Sequence, residues 1–237
     1  MQSLFSFVAP PSRCSYLASE NWSLEYEQFL SISPAEYLQR LSEGWRRFGS
    51  TLFRPRCSTC KACRSLRVLV DHFRPDRSQR RNRRLNEPGI HLQIGSPEVT
   101  REKLDLYDRY HAFQSACKGW PEHPAKDARS YVESFVDNPF PTKEYCYYEE
   151  GRLVAVGYVD ELPGGMSAIY FFYEPSVKHR GLGTWHILTL IDQAAGQRVP
   201  HLYLGYCVAD CPSLAYKSRF RPNEMRSAAG IWCTPDA

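Results

Sequence analysis

Three cysteines stand at two-residue gaps, Cys57-Ser-Thr-Cys60-Lys-Ala-Cys63, and a cationic block follows, Arg74-Pro-Asp-Arg77-Ser-Gln-Arg80-Arg81-Asn-Arg83-Arg84. The cysteine spacing brings three soft ligands within reach of one centre. Cys14 is the natural fourth, so the chemistry on offer is a four-sulfur site for zinc or an iron–sulfur cluster. The competing reading is a set of reduced thiols that serve as small core residues. Residues 74 to 84 carry six arginines against one aspartate. If the block is helical, Arg77, Arg80, Arg81 and Arg84 share one face at 3,4-spacing. Such a face repels itself unless acidic neighbours or a polyanion compensate. Because the charges do not alternate in sign, contact with nucleic-acid phosphate is favoured over a solvated, paired face. No aromatics interleave, so the block would grip phosphate and read little sequence.

A second place for anion chemistry is the loop Lys178-His-Arg180-Gly181-Leu182-Gly183-Thr184 ahead of an apolar helical stretch. Free amides at a helix start bind anionic oxygens, and glycines let those oxygens come close. An ordinary strand-to-helix turn is the alternative. Cys117, Cys146, Cys207, Cys211 and Cys233 read as buried small hydrophobes.

The elements that must position these residues are legible in part. A half-buried strand is expected over 22–26 and a helix opening at Ser33-Pro34-Ala-Glu36, with a serine cap, proline at the first position and a capping-box carboxylate. Gly44 ends it. A strand over 66–70 leads away from the cysteines. A second helix is expected from Ser96-Pro97-Glu98 to about Cys117, burying Leu104, Tyr107, Tyr110 and Phe113, and a third over 127–136. Asn138-Pro139-Phe140-Pro141 breaks the pattern. Beyond it, strands over 145–148, 153–159 and 168–173, a helix over 185–195, a strand over 202–206 and a short helix over 212–220 are expected. The expected fold class is α+β in three segments. Residues 1–90 form a small Cys-containing basic domain, 91–139 a helical connector, and 140–237 a mixed sheet with flanking helices.

With 237 residues, 43% of them hydrophobic and 14% aromatic, the chain can bury a sizeable core. Its net charge of +4 is modest, so the local arginine excess carries more meaning than the total. Nine cysteines form no pairing ladder and the first residues lack a basic leader, which points to reduced thiols and a cytoplasmic protein. No apolar stretch approaches the ~20 residues of a membrane span, so no membrane partner is expected.

The strands, glycine loop and helix of the last segment resemble the GNAT-type acetyltransferase core, whose loop holds the pyrophosphate of acyl-CoA. The whole chain resembles the arginyl-tRNA–protein transferase family, bacterial aspartate/glutamate leucyltransferase branch. The marks are Cys14-x-Tyr16-Leu17, Gly44-Trp45-Arg46-Arg47-x-Gly49, Phe53-Arg54-Pro55 with the cysteine triplet, and Phe73-Arg74-Pro75-x-Arg77-Ser78-Gln79-Arg80-Arg81. Further on stand Ser167-Ala168-x-Tyr170-x-Phe172-Tyr173-Glu174-Pro175, Leu182-Gly183-Thr184, Tyr203-Leu204-Gly205-Tyr206 and Tyr216-Lys217-x2-Phe220-x-Pro222-x-Glu224. Two stretches depart from the family pattern, Cys117-Lys118-Gly119-Trp120-Pro121 and Cys207, and they put the transferred amino acid in doubt.

The resemblance implies transfer of an amino acid, leucine or arginine, from aminoacyl-tRNA to proteins with N-terminal Asp or Glu, marking them for degradation. No cofactor is required, because the ester donor is already activated. Arg74, Arg77, Arg80 and Arg81, with the loop glycines Gly181 and Gly183, are then the tRNA-handling residues. Asp160 and Glu174, at the ends of adjacent strands with Tyr170 beside them, are candidates to take the proton of the attacking amine. Lys217 or Arg221 would receive the acceptor's carboxylate. An acyl-CoA-dependent N-acetyltransferase and a non-catalytic tRNA-binding module are the alternatives.

Overall fold

The computed structural model describes residues 1–122 and 124–235. Contacts divide the chain into two units, each built from separated stretches. The first comprises Met1–Arg74, Leu162–Ile169 and the chain from Ala194 onward; the second comprises Pro75–Glu161 and Tyr170–Gln193. The sequence suggests three consecutive segments, whereas this division is interleaved.

The first unit opens with strand β1 (Gln2–Val8), then β2 (Ser12–Arg13) and β3 (Asn21–Trp22) as a small antiparallel ladder, and β4 (Leu24–Ser31). Helix α1 (Pro34–Ser42) begins where its cap predicts: the Ser33 hydroxyl accepts from the Glu36 amide and the Glu36 carboxylate accepts from the Ser33 amide. It ends at Gly44, whose φ of +90° suits a residue without a side chain. Strands β5 (Arg46–Phe48) and β6 (Thr51–Pro55) complete a four-stranded antiparallel sheet in the order β1-β4-β6-β5. One face is core, carrying Phe29 and Leu52, while Tyr26 and Phe53 on the opposite face are half-buried.

The unit's second sheet segment runs β14 (Trp232–Cys233), β13 (Asn223–Arg226), β7 (Arg64–Leu69), β12 (His201–Cys207) and the first half of β11 (Gly165–Tyr173). Its pairs are antiparallel except β11 with β12, so the sheet is mixed. Leu66, Val68 and Leu202 are fully buried. Between Tyr203 and Gly205 the pairing with β7 slips by one residue, a bulge with Gly205 at φ +77°. The short helix α6 (Pro212–Ala215) continues as a 3-10 turn over Tyr216–Arg219.

In the second unit, α2 (Arg77–Asn86) is capped by Asp76, which accepts from the Gln79 amide while Gln79 answers to the Asp76 amide, both at 2.8 Å. Then come β8 (Ile90–Gly95), α3 (Arg101–Lys118), α4 (Ala128–Tyr131) with a π-type turn over Val132–Val136, β9 (Thr142–Glu149), β10 (Arg152–Leu162) and α5 (Leu182–Gly196). β8, β9 and β10 pair antiparallel, the last two across a Glu150-Gly151 turn with both residues at positive φ. Helix α3 starts at Thr100 rather than at Ser96. Lys103, buried in its first turn, reaches back to the Glu98 carbonyl, which keeps 96–99 outside the helix. Its buried side holds Leu106, Tyr107 and Tyr110, while Leu104 and Phe113 are only half-buried.

All nine cysteines are free thiols. No helix among the described residues is long and apolar enough to cross a membrane.

Candidate active site

In the first unit, positive charge converges without a carboxylate. Arg46 is buried, donating from Nη1 to Ser167 Oγ at 3.1 Å and from Nη2 to the Ala168 carbonyl. Among the described residues it has no carboxylate partner. The bulge at Gly205 explains how the guanidinium fits: a Cβ there would stand 3.1 Å from Arg46 Nε and 3.3 Å from Cζ. Lys217 faces the same place. Its Nζ donates to the Tyr206 carbonyl at 3.1 Å, and burial, then Arg46, pushes its pKa down to about 8, although the side chain keeps some access to solvent.

The thiols nearby do not supply the missing charge. Burial first, then the sulfurs of Cys14, Cys57, Cys60 and Cys211, pushes the Cys63 thiol up to about 12, and burial raises Cys207 too. Tyr16 is pushed up to about 12 by burial and by Cys63. Beside Arg46 and Lys217 these groups are neutral at pH 7, and a buried and a half-buried cation with neutral acceptors alone favour the arrival of an anion.

The sequence-predicted metal ligands lie within electrostatic reach of one another, as the effect on Cys63 indicates. Cys14 Sγ accepts from the amides of Tyr16 and Leu17 at 3.4 Å each. Yet among the described residues no group of three or more His, Cys, Asp or Glu side chains is arranged to hold a metal ion.

The second unit gathers aromatic and imidazole groups. Tyr170 OH and His111 Nε2 are 2.8 Å apart, and the His111 ring stacks on Tyr107 at 4.1 Å. His111 and Tyr170 are both half-buried, within reach of solvent. Burial pushes the Tyr170 hydroxyl well above its usual range and that of Tyr107 up to about 12, so both stay protonated at neutral pH. Behind them lies a buried network: Tyr131 and Tyr158 share a 2.5 Å hydrogen bond, Tyr158 OH donates to Glu144 at 2.8 Å, and Lys103 pairs with Glu144.

The predicted carboxylates are not brought together. Asp160 is fully buried and accepts from Thr142 Oγ1 at 2.7 Å. Glu174 is buried at the far end of the β10–β11 hairpin, where its amide bonds the Val154 carbonyl. The six residue steps from 154 to 160 put roughly 20 Å between them. Burial works to raise the Glu174 pKa, but the Ser176 amide and Arg109 outweigh it and hold the carboxyl below its usual range. Arg109 and Arg152 bind it at 2.9 and 3.0 Å. It is a paired structural anion.

Arg77, Arg80, Arg81 and Arg84 of α2 are exposed, and among the described residues none has an acidic partner; Arg83 alone in that helix pairs, with Asp192. Arg74 is exposed and donates to the Phe73 carbonyl. Gly181, at φ +60°, leads into α5, and Gly183 lies in its first turn. Asn82 of α2 donates to the Arg180 carbonyl at 2.8 Å, and a Cβ on Gly181 would meet Asn82 Nδ2 at 2.9 Å. The arginine helix and the glycine loop are thus locked together. Arg221 is exposed, its Nε donating to the Ser218 carbonyl.

Sequence reasoning missed Arg46 and His111 as site residues. Arg46 reads as one more cation near the cysteines, and with Glu43 three residues before it nothing local marks it. His111 carries no local signal.

Two family models match the chain. One described as "Arginine-tRNA-protein transferase, N terminus" covers residues 12–81, and one described as "Arginine-tRNA-protein transferase, C terminus" covers 102–227. The aspartate/glutamate leucyltransferase of Halorhodospira halophila is 38% identical over 225 residues, 92% of either chain. That of Campylobacter jejuni is 34% identical over 224 residues, 92% of this chain and 91% of the relative. Among solved structures, the C-terminal domain of a putative lysylphosphatidylglycerol synthetase from Agrobacterium fabrum aligns with a TM-score of 0.50 at 11% identity. The match covers 84% of this chain and 67% of that one, a likeness of fold alone.

Proposed function

We infer the activity from the premise that this chain belongs to the arginine-tRNA–protein transferase family, in its aspartate/glutamate leucyltransferase branch. It is an aminoacyltransferase that moves an amino acid from charged tRNA to the N-terminal Asp or Glu of proteins. The observation that carries this is the likeness to those leucyltransferases along nine-tenths of the chain. Leucine is the favoured donor residue.

In the transfer, the neutral α-amine of the acceptor attacks the ester carbonyl of the aminoacyl-tRNA. A C–N bond forms, the bond to the tRNA's terminal ribose oxygen breaks, and the proton lost by nitrogen ends on that oxygen. The ester is already activated, so positioning can supply much of the acceleration. In our reading, Arg46 and Lys217, which hold only neutral acceptors, receive the acceptor's side-chain carboxylate. Within the second unit, the hydrogen-bonded pair of His111 Nε2 and Tyr170 is our candidate for proton handling. The exposed arginines of α2 hold tRNA phosphates, and the amides at the start of α5 add an anion-binding end. The mixed sheet with its glycine loop and helix is read as GNAT-like.

The test is transfer of labelled leucine, and in parallel labelled arginine, from charged tRNA to a peptide beginning with Asp, with acetyl transfer from acetyl-CoA alongside. Leucine transfer from tRNA is expected; acetyl transfer alone, or tRNA retention without either transfer, would overturn the assignment.

A further inference from the structure

We propose that the open face and free edge of the N-terminal sheet form the track on which the acceptor polypeptide lies, beyond its first residue. The inference rests on the reading of Arg46 and Lys217 as the receiver of that first residue's carboxylate.

The four strands put one cross-strand row on this face. Arg46 stands opposite Phe53, Phe53 opposite Tyr26, and Tyr26 opposite Phe7. Residues directly opposed in a ladder point to the same side, so the row runs from a buried cation through half-buried rings to an exposed one. Phe7 is 50% exposed. The rings make a continuous surface: Phe7 and Tyr26 stack at 5.2 Å, Tyr26 and Phe53 lie 6.4 Å apart, and Phe53 meets Tyr206 edge-on at 6.4 Å. Tyr206 is the residue whose carbonyl receives Lys217. Phe5, 56% exposed, extends the shelf along β1 beside Phe7.

At its outer end the row meets an edge strand. β1 pairs with β4 on one side only, and all seven of its residues are exposed. An apolar, unpaired edge of this length is a template for one more strand, and natural edges of this kind are usually blunted by charge. This one carries no charged residue among Gln2–Val8. The absence of cations argues against a nucleic-acid strand, whose affinity comes from neutralised phosphate. A neutral polypeptide fits better. Strand addition suits a transferase whose acceptors share a terminal residue and little else, because main-chain hydrogen bonds are indifferent to side chains.

The geometry sets a length. Three strand spacings separate Arg46 from β1, about 14 Å, which is four to five extended residues. Acceptor residues beyond about the fifth would then reach the free edge. The experiment compares Asp-initiated peptides of four and ten residues, by anisotropy of labelled peptide on the full-length protein without tRNA and by kcat/KM for transfer. The ten-residue peptide is expected to bind at least about tenfold more tightly, with the double variant Phe5→Ser, Phe7→Ser erasing the gain and leaving the four-residue peptide within about twofold. On the unmodified protein, backbone N-methylation at acceptor residues 6 and 8, or at 7 and 9, should weaken binding for one pair only, the signature of an added strand.

Equal binding of both lengths overturns the proposal. So does a variant that weakens tRNA binding while the length effect persists, or one that splits a dimer of the parent protein with the length effect intact. Failure of the underlying transferase assignment looks different: no transfer to any acceptor, whatever its length.

Discussion

If Lys217 receives the acceptor's carboxylate, acceptor selection should depend on pH. Its pKa of about 8 lies below the ordinary lysine value, so the ammonium is present below pH 8 and lost above it. The ratio of kcat/KM for an Asp-initiated peptide to that for its Asn counterpart should fall up to about tenfold between pH 7 and pH 9. Titration of the acceptor amine is common to both peptides and cancels in the ratio. Lys217→Met should lower the ratio at pH 7 and flatten its pH dependence; a ratio that is flat in the parent protein would remove Lys217 from acceptor recognition. Arg46→Gln should lower the same ratio about ten- to a hundredfold at every pH, because guanidinium does not titrate in this range. His111 separates from these by its kinetics. If it handles the proton, His111→Ala should lower kcat by about a hundredfold or more with KM for the acceptor little changed. A loss confined to KM would make His111 a packing residue on Tyr107.

At the level of elements, α2 shows what the sequence can and cannot disclose. Its 3,4-spaced arginines and their excess over acidic residues are local, and the helix carries Arg77, Arg80, Arg81 and Arg84 exposed; the sequence reading does not anticipate its Asp76–Gln79 cap. The three arginines Arg77, Arg80 and Arg81 changed together to Ala should weaken tRNA binding and reduce the slope of log affinity against log salt by about 2 to 3. An unchanged slope would make the block structural. The capping box of α1 is equally legible. By contrast β1 reads as a short apolar run, because a strand's partner is not in its own sequence: β4 lies some twenty residues on, and the register has two irregularities. The start of α3 misleads for a similar reason. Ser96-Pro97-Glu98 is a good cap locally, but Lys103 reaches Glu144, more than forty residues away, and that tertiary bond settles which cap is used. The approach of Arg46 to Ser167 and Lys217 is the least legible feature, since it arises only through long-range pairing.

For the molecule as a whole, the position of β7 decides what can be cut. The chain pattern breaks at Pro139 and Pro141, and a fragment of residues 140–237 would hold the glycine loop, α5 and most of the sheet. It would lack β7, which lies between β12 and β13 and pairs antiparallel with both, Leu66 opposite Gly205 and Val68 opposite Asn223. Without it, β12 loses the partner along one edge and β13 its attachment, and the buried Leu202 and Met225 lose their cross-strand partners Val68 and Leu66. The complementary fragment, residues 1–139, would carry β7 with neither neighbour. Neither fragment is therefore expected to melt cooperatively alone, and mixing the two should restore a cooperative transition if the pieces remain soluble. Circular dichroism melts of each fragment, the mixture and the full chain check this. A cooperative transition in 140–237 alone would mean that the acyltransferase-like sheet closes without β7 and that the segment is a domain in its own right.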